Sequence, residues 1–154
     1  AGLSVPGRRI PELDEILMFR ETADCPIPSS LPLRSDGHPE EIAESGAFPR
    51  GTVDYASKVG MELFVMVDES GGWLSRCHVE PRPRHLGEIA GVETRPRHRR
   101  KGHAVRMLRA LATMLHRQYR GLLYLSLLEN RPSRMLSSRA GFSPVTVFQK
   151  HLLS

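Results

Sequence analysis

A basic loop followed by two small residues is the part of this sequence best suited to chemistry. Five Lys or Arg residues lie between Arg95 and Lys101, and Gly102 and Ala104 follow directly. The periodic apolar residues after them predict a helix over 102–120, whose first N–H groups lack intrahelical partners and carry partial positive charge. Small residues there let an anion approach the backbone, so the segment predicts a phosphate-binding loop. The alternative is a solvated basic turn, since neither a P-loop nor a Gly-x-Gly-x-x-Gly motif is present.

The context of this loop resembles the GNAT superfamily of acetyl-CoA-dependent N-acetyltransferases. Arg99-x-x-Gly102-x-Ala104 matches the short signature, and the longer pattern Gly-Val-x-Thr-x-Pro-x-x-Arg-Arg-x-Gly-x-Ala fits at every fixed position. Asn130-x-x-Ser133, followed later by Gly141-Phe142, is similar to the family's next conserved segment. The resemblance covers residues 61–152 and implies acetyl-CoA, or a related acyl-CoA, as cosubstrate.

The resemblance also implies which residues hold this cosubstrate. In the family a strand end pairs with the pantetheine arm, the signature amides bind the pyrophosphate, and an asparagine after the next strand touches pantetheine or orders the strands. The corresponding residues are Val92, Glu93 and Thr94; Arg99, Arg100, Lys101, Gly102, His103 and Ala104; and Asn130 with Ser133. Arg134 or Arg139 would lie near the 3′-phosphate.

Amine acetylation requires a neutral amine, and deprotonating a lysine-like amine at pH 7 costs roughly 4.6 kcal/mol. A general base meets that demand. Glu88 is the first candidate because it is a charged residue in an apolar strand, predicted to share a face with Val92 and Thr94. The histone-acetyltransferase branch of the family has its catalytic glutamate at the same spacing. A strand glutamate paired with a neighbouring cation is the alternative, and His78 and Glu80 are second candidates.

The proton donor to the departing thiolate is harder to assign. Many family members have a tyrosine where this sequence has Ser137, and serine is a poor acid. The resemblance therefore leaves room for a degenerate member that binds coenzyme A without turnover.

Cys77 is predicted to be a buried strand cysteine rather than a nucleophile. The seven histidines show no metal-binding spacing, so no metal site is predicted.

The element order predicts a mixed α/β (α+β) domain spanning 1–154. The predicted elements are helices over 11–22, 38–46 and 53–59, strands over 62–68, 73–79 and 85–94, the helix over 102–120, a strand over 122–128, a helix over 131–140 and a strand over 145–152. Residues 1–60 thus form a helical part with acceptor-side loops, and 61–152 carry the cosubstrate elements. The resemblance implies a GNAT-like, mostly antiparallel central sheet with one splayed strand pair and helices on both faces.

Charge is divided unevenly, with −7 over residues 1–94 and +12 over residues 95–154. A half of one sign indicates an anionic partner, and nucleic acid, a membrane surface and a polyphosphate cofactor all qualify on charge alone. Nucleic acid is less favoured because no aromatic residues are interleaved with the basic ones. The expected partners are acetyl-CoA and an amine acceptor, and the acids before Arg95 suggest a cationic acceptor.

Because the sequence has neither an apolar run long enough for a membrane helix nor a disulfide framework, the expected location is the cytoplasm. The sequence does not determine the oligomeric state, and a homodimer is one of the possibilities.

Overall fold

The computed structural model describes residues 8–26 and 30–152. Its strands are β1 (Arg8–Arg9), β2 (Glu15–Glu21), β3 (Leu33–Arg34), β4 (Glu62–Val67), β5 (Trp73–Arg82), β6 (Leu86–Thr94), β7 (Gly121–Leu127), β8 (Ser143–Phe148) and β9 (His151–Leu152). Its α-helices are α1 (Pro39–Glu44), α2 (Arg50–Val59), α3 (His103–Met114) and α4 (Arg131–Arg139). Across these described ranges no helix combines the length and apolarity needed to cross a membrane.

Seven strands form one sheet in the order β3-β4-β5-β6-β7-β2-β8, and β1 pairs with β9 in a separate ribbon. Neighbouring strands run antiparallel except β6 and β7, which run parallel. The β6–β7 pairing extends only from Leu86 and Gly121 to Ile89 and Tyr124, although both strands continue beyond it. The predicted mostly antiparallel sheet with a splayed pair is therefore confirmed.

The sheet separates two hydrophobic cores because its side chains alternate between faces. Phe64 and Met66 of β4 pack with α3 in one core, whereas Leu63 and Val65 pack with α1 and α2 in the other. Helices thus cover both faces, as predicted. We call the face under α3 and α4 the α3 face, and the opposite one the α2 face.

The N-terminal segment corrects the prediction of a helix over 11–22. Only Pro11–Leu13 form a short 3-10 turn, and β2 then lies between β7 and β8. Pairing on both sides satisfies the backbone of β2, and its alternation directs Ile16 and Met18 into the α3-side core. The local helical spacing is overridden by this long-range pairing. The part of 1–60 that the structure describes therefore contains strands as well as the two predicted helices, α1 and α2.

A β-bulge at Gly91 corrects the prediction that Glu88 shares a face with Val92 and Thr94. Glu88 lies opposite Glu80, and Thr94 lies opposite Ser75, with a register shift between them. Gly91 adopts a positive φ of 62°, and the extra residue reverses the alternation. Glu88 therefore faces the α2 side, whereas Val92 packs against the α3-side core.

Asp14 connects the two ends of the described chain. Its carboxylate is 1% exposed and accepts hydrogen bonds from Arg9 Nη2 at 2.5 Å and from the backbone N of Lys150 at 3.0 Å. The bond from Arg9, followed by that from Lys150, lowers the pKa of Asp14 below its usual value. Its backbone oxygen also accepts from the N–H of Leu128.

We expect Asp14→Asn to lower the free energy of unfolding at pH 7. Because the folded-state pKa is lowered, the stabilisation is fully present above the unfolded value of about 3.9 and is lost as pH falls through the folded pKa. The difference between wild type and variant should therefore shrink below about pH 4. Denaturant titrations at pH 7, 5 and 3.5 measure it. Asp36→Asn, at an exposed ion pair with Arg34, is the control and should change little.

Candidate active site

A cleft of ≈ 1000 Å³ lies on the α3 face beyond the point where β6 and β7 diverge. It is bounded by the end of β6, the basic loop, the N-terminus of α3, Tyr124 of β7 and the start of α4. The predicted cosubstrate residues that line it are Val92, Glu93, Thr94, Arg99, Arg100, Gly102, His103, Ala104, Asn130 and Ser133. Lys101 alone of the predicted set is outside the lining. Residues distant in sequence thus converge on one cleft.

The N-terminus of α3 opens into this cleft without a capping side chain. Gly102 is the N-cap residue, its φ is 78°, and no acidic residue occupies the first turn. The uncapped N–H groups and the helix dipole favour an anion here. Arg100 also has a positive φ of 62°, a conformation that costs a non-glycine residue on the order of 1 kcal/mol. The backbone of the basic loop is therefore strained at Arg100, between Arg99 and Lys101.

The charges around this end of α3 reinforce the preference for an anion. Arg99, Arg100 and Arg139 line the cleft, and Arg99 Nε donates to the backbone oxygen of Thr94 at 3.1 Å. Burial, with a smaller effect of the nearby Arg106, lowers the pKa of His103. The lowered pKa favours the neutral imidazole of His103, and Arg99, Arg100 and Arg139 supply permanent positive charge to the cleft.

Tyr124 is a cleft residue that the sequence interpretation did not select. It is paired with Ile89 at the last position before the strands diverge, and its hydroxyl lies 2.7 Å from Ser133 Oγ. Burial raises its pKa, so the phenol is protonated at neutral pH. Ser133 is itself held by its N–H, which donates to the Asn130 side chain at the start of α4. In the sequence, the indication of such a role is that Tyr124 has the single hydroxyl within the otherwise apolar run 122–125.

Ser137 does not reach the cleft. It is fully buried, and its Oγ donates to the backbone oxygen of Arg134 at 3.0 Å. Its hydroxyl is thus committed to the helix backbone. The expectation that the family's usual tyrosine role does not carry over to this position agrees with that geometry.

A second cavity, of ≈ 490 Å³, lies on the α2 face next to the bulge. Its lining consists of Phe48, Pro49, Thr52, Met61, Leu63, Arg76, His78, Gly91, Val92 and Glu93. Val92 and Glu93 line both cavities. The two cavities therefore meet at the end of β6, one approaching from each face of the sheet.

Glu88 belongs to a polar cluster on the α2 face. Arg82 Nε donates to Glu88 Oε2 at 2.6 Å, and Arg82 Nη2 donates to Glu80 Oε2 at 2.8 Å. His78 Nε2 lies 3.5 Å from Glu80 Oε1 and completes the cluster. His78 lines the second cavity, whereas Glu88 is absent from the described lining of both. The structure thus brings the three candidate bases together, with His78 nearest the cavity.

Cys77 is a buried strand cysteine, as predicted. Its side chain is fully buried in the α3-side core, and that burial raises the pKa of the thiol far above its usual value. A thiol of this kind is not a nucleophile at neutral pH. Within residues 8–26 and 30–152, no three His, Cys, Asp or Glu side chains are grouped so that they could hold a metal ion.

Comparison with known proteins gives one family and one fold. The FR47-like family matches residues 77–149. A protein from Novosphingobium aromaticivorans assigned to the GNAT family of acetyltransferases is 26% identical, with a TM-score of 0.60 over 94% of this chain and 66% of that one. No curated protein matches the sequence significantly.

Two less similar structures show the fold alone. A GCN5-related N-acetyltransferase from Sphaerobacter thermophilus is 20% identical, with a TM-score of 0.57 over 94% of this chain and 53% of that one. A GNAT-family acetyltransferase from Colwellia psychrerythraea is 13% identical, with a TM-score of 0.61 over 89% and 54%. The chain thus spans between about half and two thirds of the length of these three structures.

Proposed function

Because this chain belongs to the GNAT superfamily, we propose that it transfers an acetyl group from acetyl-CoA to a primary amine by direct attack. The observation that carries the proposal is the cleft at the diverging strands, where the uncapped N-terminus of α3 and three arginines favour an anion. In this proposal the amides of Gly102 to Ala104 hold the pyrophosphate, and the end of β6 with Asn130 holds the pantetheine arm. Acetyl-CoA supplies the activated acyl group.

Direct attack requires the amine to lose a proton and the departing thiolate to gain one. We assign the first role to Glu88, acting through water because its carboxylate is tied to Arg82 outside the cavity lining. His78 is the competing base because it lines the second cavity. For the second role we assign Tyr124, whose protonated phenol lies at the point where the strands diverge.

Calorimetric titration with acetyl-CoA at two salt concentrations tests the cosubstrate assignment, with a short duplex DNA as the competing ligand. We expect saturable one-to-one binding of acetyl-CoA that persists at the higher salt concentration. DNA binding that weakens steeply with salt, in the absence of coenzyme binding, would instead indicate a nucleic-acid-binding protein. Such a result would remove the basis for the acyltransferase proposal.

Binding of coenzyme A without turnover is the second candidate function. It is favoured by Ser137, which is buried where many family members have a catalytic tyrosine. An amine panel with detection of the released thiol separates the two functions. Saturable acetyl-CoA binding without thiol release from any amine would favour this second function.

We expect Tyr124→Phe to lower kcat by about 100-fold, within the range known for general acids, while acetyl-CoA affinity stays within about twofold. The variant keeps the ring that packs on Phe142 and loses only the hydroxyl. Steady-state kinetics and calorimetry measure the two quantities. Tyr119→Phe is the matched control: Tyr119 is equally buried, yet its hydroxyl contacts Gln118 away from both cavities. Ser137→Ala should change little, and equal losses in all three variants would contradict the assignment.

A further inference from the structure

The second cavity has the size and the walls of a small-molecule site. Its volume of ≈ 490 Å³ falls within the range of about 300–1,000 Å³ that is usual for ligand pockets. Phe48 and Pro49, between α1 and α2, form one wall, and Met61 contributes further apolar surface. A ligand in this cavity would therefore place an apolar body against these side chains.

Arg76 lines this cavity, and its guanidinium is already hydrogen-bonded to other groups of the protein. Its Nε and Nη2 donate to Glu93 Oε2 at 3.1 and 2.6 Å, and its Nη1 donates to the backbone oxygen of Ala47. Its guanidinium carbon also lies 5.1 Å from the ring centroid of Phe48 and 5.2 Å from that of Trp73. Each guanidinium nitrogen thus makes one hydrogen bond, and the charge of Arg76 is already paired with the Glu93 carboxylate, which would repel a ligand carboxylate brought beside it.

The remaining polar groups of the cavity favour a positive charge. Both bonds from Arg76 end on Oε2 of Glu93, whose side chain is 43% exposed, so its other oxygen keeps acceptor capacity. The imidazole of His78 lies against Gly91, where an added Cβ would be 3.0 Å from Nδ1. The missing side chain at the bulge therefore leaves room for the imidazole beside the cavity. A carboxylate and an imidazole together suit an ammonium group better than an anion.

We propose that the second cavity selects the acceptor, and that this acceptor is a primary amine on a compact apolar body without a carboxylate near the amine. The inference rests on the proposed acetyl transfer. The ammonium group enters beside Glu93 and His78, close to the segment that both cavities share, and the apolar body contacts Phe48 and Met61. After the ammonium gives one proton to the general base, the nitrogen forms the new N–C bond as the C–S bond breaks; the nitrogen then loses a second proton, and the departing coenzyme A thiolate gains one.

Phenethylamine and phenylalanine are a matched pair of probes, because they share the ring and the amine and differ by one carboxylate. We expect kcat/KM for phenethylamine to exceed that for phenylalanine by at least about tenfold, because the charge of Arg76 is already paired with Glu93 and the Glu93 carboxylate repels that of phenylalanine. Putrescine, which has the charge without the ring, should also be a poorer acceptor. Equal or better use of phenylalanine or putrescine would overturn the inference.

Two further measurements keep this test separate from that of the proposed function. Phe48→Ala should raise the KM for phenethylamine about tenfold, since an aromatic contact is lost, and should leave acetyl-CoA affinity unchanged. The control Tyr55→Ala removes an exposed aromatic side chain outside the cavity and should have no effect. Failure of acetyl-CoA to bind would refute the proposed function itself. If acetyl-CoA binds but no amine turns over, calorimetry with phenethylamine decides. Saturable binding to the wild type that is lost in a Phe48→Ala variant still able to bind acetyl-CoA supports the inference, and absence of binding to the wild type overturns it.

Discussion

Gly102→Glu is expected to weaken acetyl-CoA binding by about 100-fold or more, which corresponds to at least ~2.7 kcal/mol. Gly102 caps α3 at the base of the cleft, and an added Cβ would meet only Arg106 Nη1 at 3.5 Å. Space is therefore available for the side chain, although the positive φ of 78° strains any residue that has a Cβ, and the added carboxylate would lie next to the proposed pyrophosphate site. Two unit charges about 4 Å apart repel by about 4 kcal/mol near a protein surface, which is enough for the expected loss.

Two controls separate this repulsion from backbone strain. Gly102→Ala places a Cβ at the same positive φ without charge, and it should weaken binding far less than the glutamate does. Gly60→Glu adds the same charge at a similar φ of 73°, at the end of α2 and outside the cleft. It should bind acetyl-CoA like wild type, as measured by calorimetry. Undiminished affinity in a folded Gly102→Glu variant would show that the α3 N-terminus does not hold the phosphates.

Glu88→Gln is expected to give the second large effect, a loss of about 100-fold in kcat at pH 7, since general bases typically contribute 10²–10⁴-fold. The amide cannot accept the proton of the incoming amine. Acetyl-CoA affinity should stay unchanged because Glu88 does not line the cleft in the described structure. Activity should recover partly as pH rises, because the free amine fraction increases toward the amine pKa of about 10.4. A pH profile of kcat and a parallel binding titration measure both effects.

His78→Gln provides the matched comparison, because it changes the neighbouring candidate base of the same polar cluster. We expect a smaller loss that appears mainly in the KM for the amine, since His78 lines the second cavity. The reverse pattern, with a large loss of kcat in His78→Gln and wild-type rates in Glu88→Gln, would move the role of base to His78. Glu88 would then be an ion-pair partner of Arg82.

The residues of the proposed cosubstrate cleft could largely be predicted from local sequence. The basic loop, the helix after it and the segment from Asn130 to Ser133 are continuous stretches, so their residue types could be interpreted without a tertiary structure. Nearly all the predicted residues meet in one cleft because a strand end and a helix N-terminus bring them there. Lys101 differs because the loop turns at Arg100 and Gly102, and its side chain stays outside the lining.

The rest of the site depends on long-range register, which local patterns do not encode. The bulge at Gly91 reverses which side chains accompany Glu88, and alternation alone predicts the wrong face. Tyr124 becomes a cleft residue only because pairing with β6 stops there. The second cavity is lined by residues of the α1–α2 region and of β4, β5 and β6. The ion pair between Arg76 of β5 and Glu93 of β6 forms only when both strands are paired. For the same reason the helical pattern of 11–22 did not reveal β2.

The position of β2 also governs the order in which this protein can assemble as it is synthesised. Met18 pairs with Tyr124, and Leu17 pairs with Thr146, so β2 is synthesised well before the strands with which it pairs. At about 5–20 residues per second, the ribosome needs several seconds or more to deliver them. During that time the apolar run Ile16–Phe19 has no sheet to join and is available to chaperones or to aggregation. The segment 77–149 translated alone would lack the strand that joins β7 to β8, so the early residues complete the sheet half that carries Tyr124.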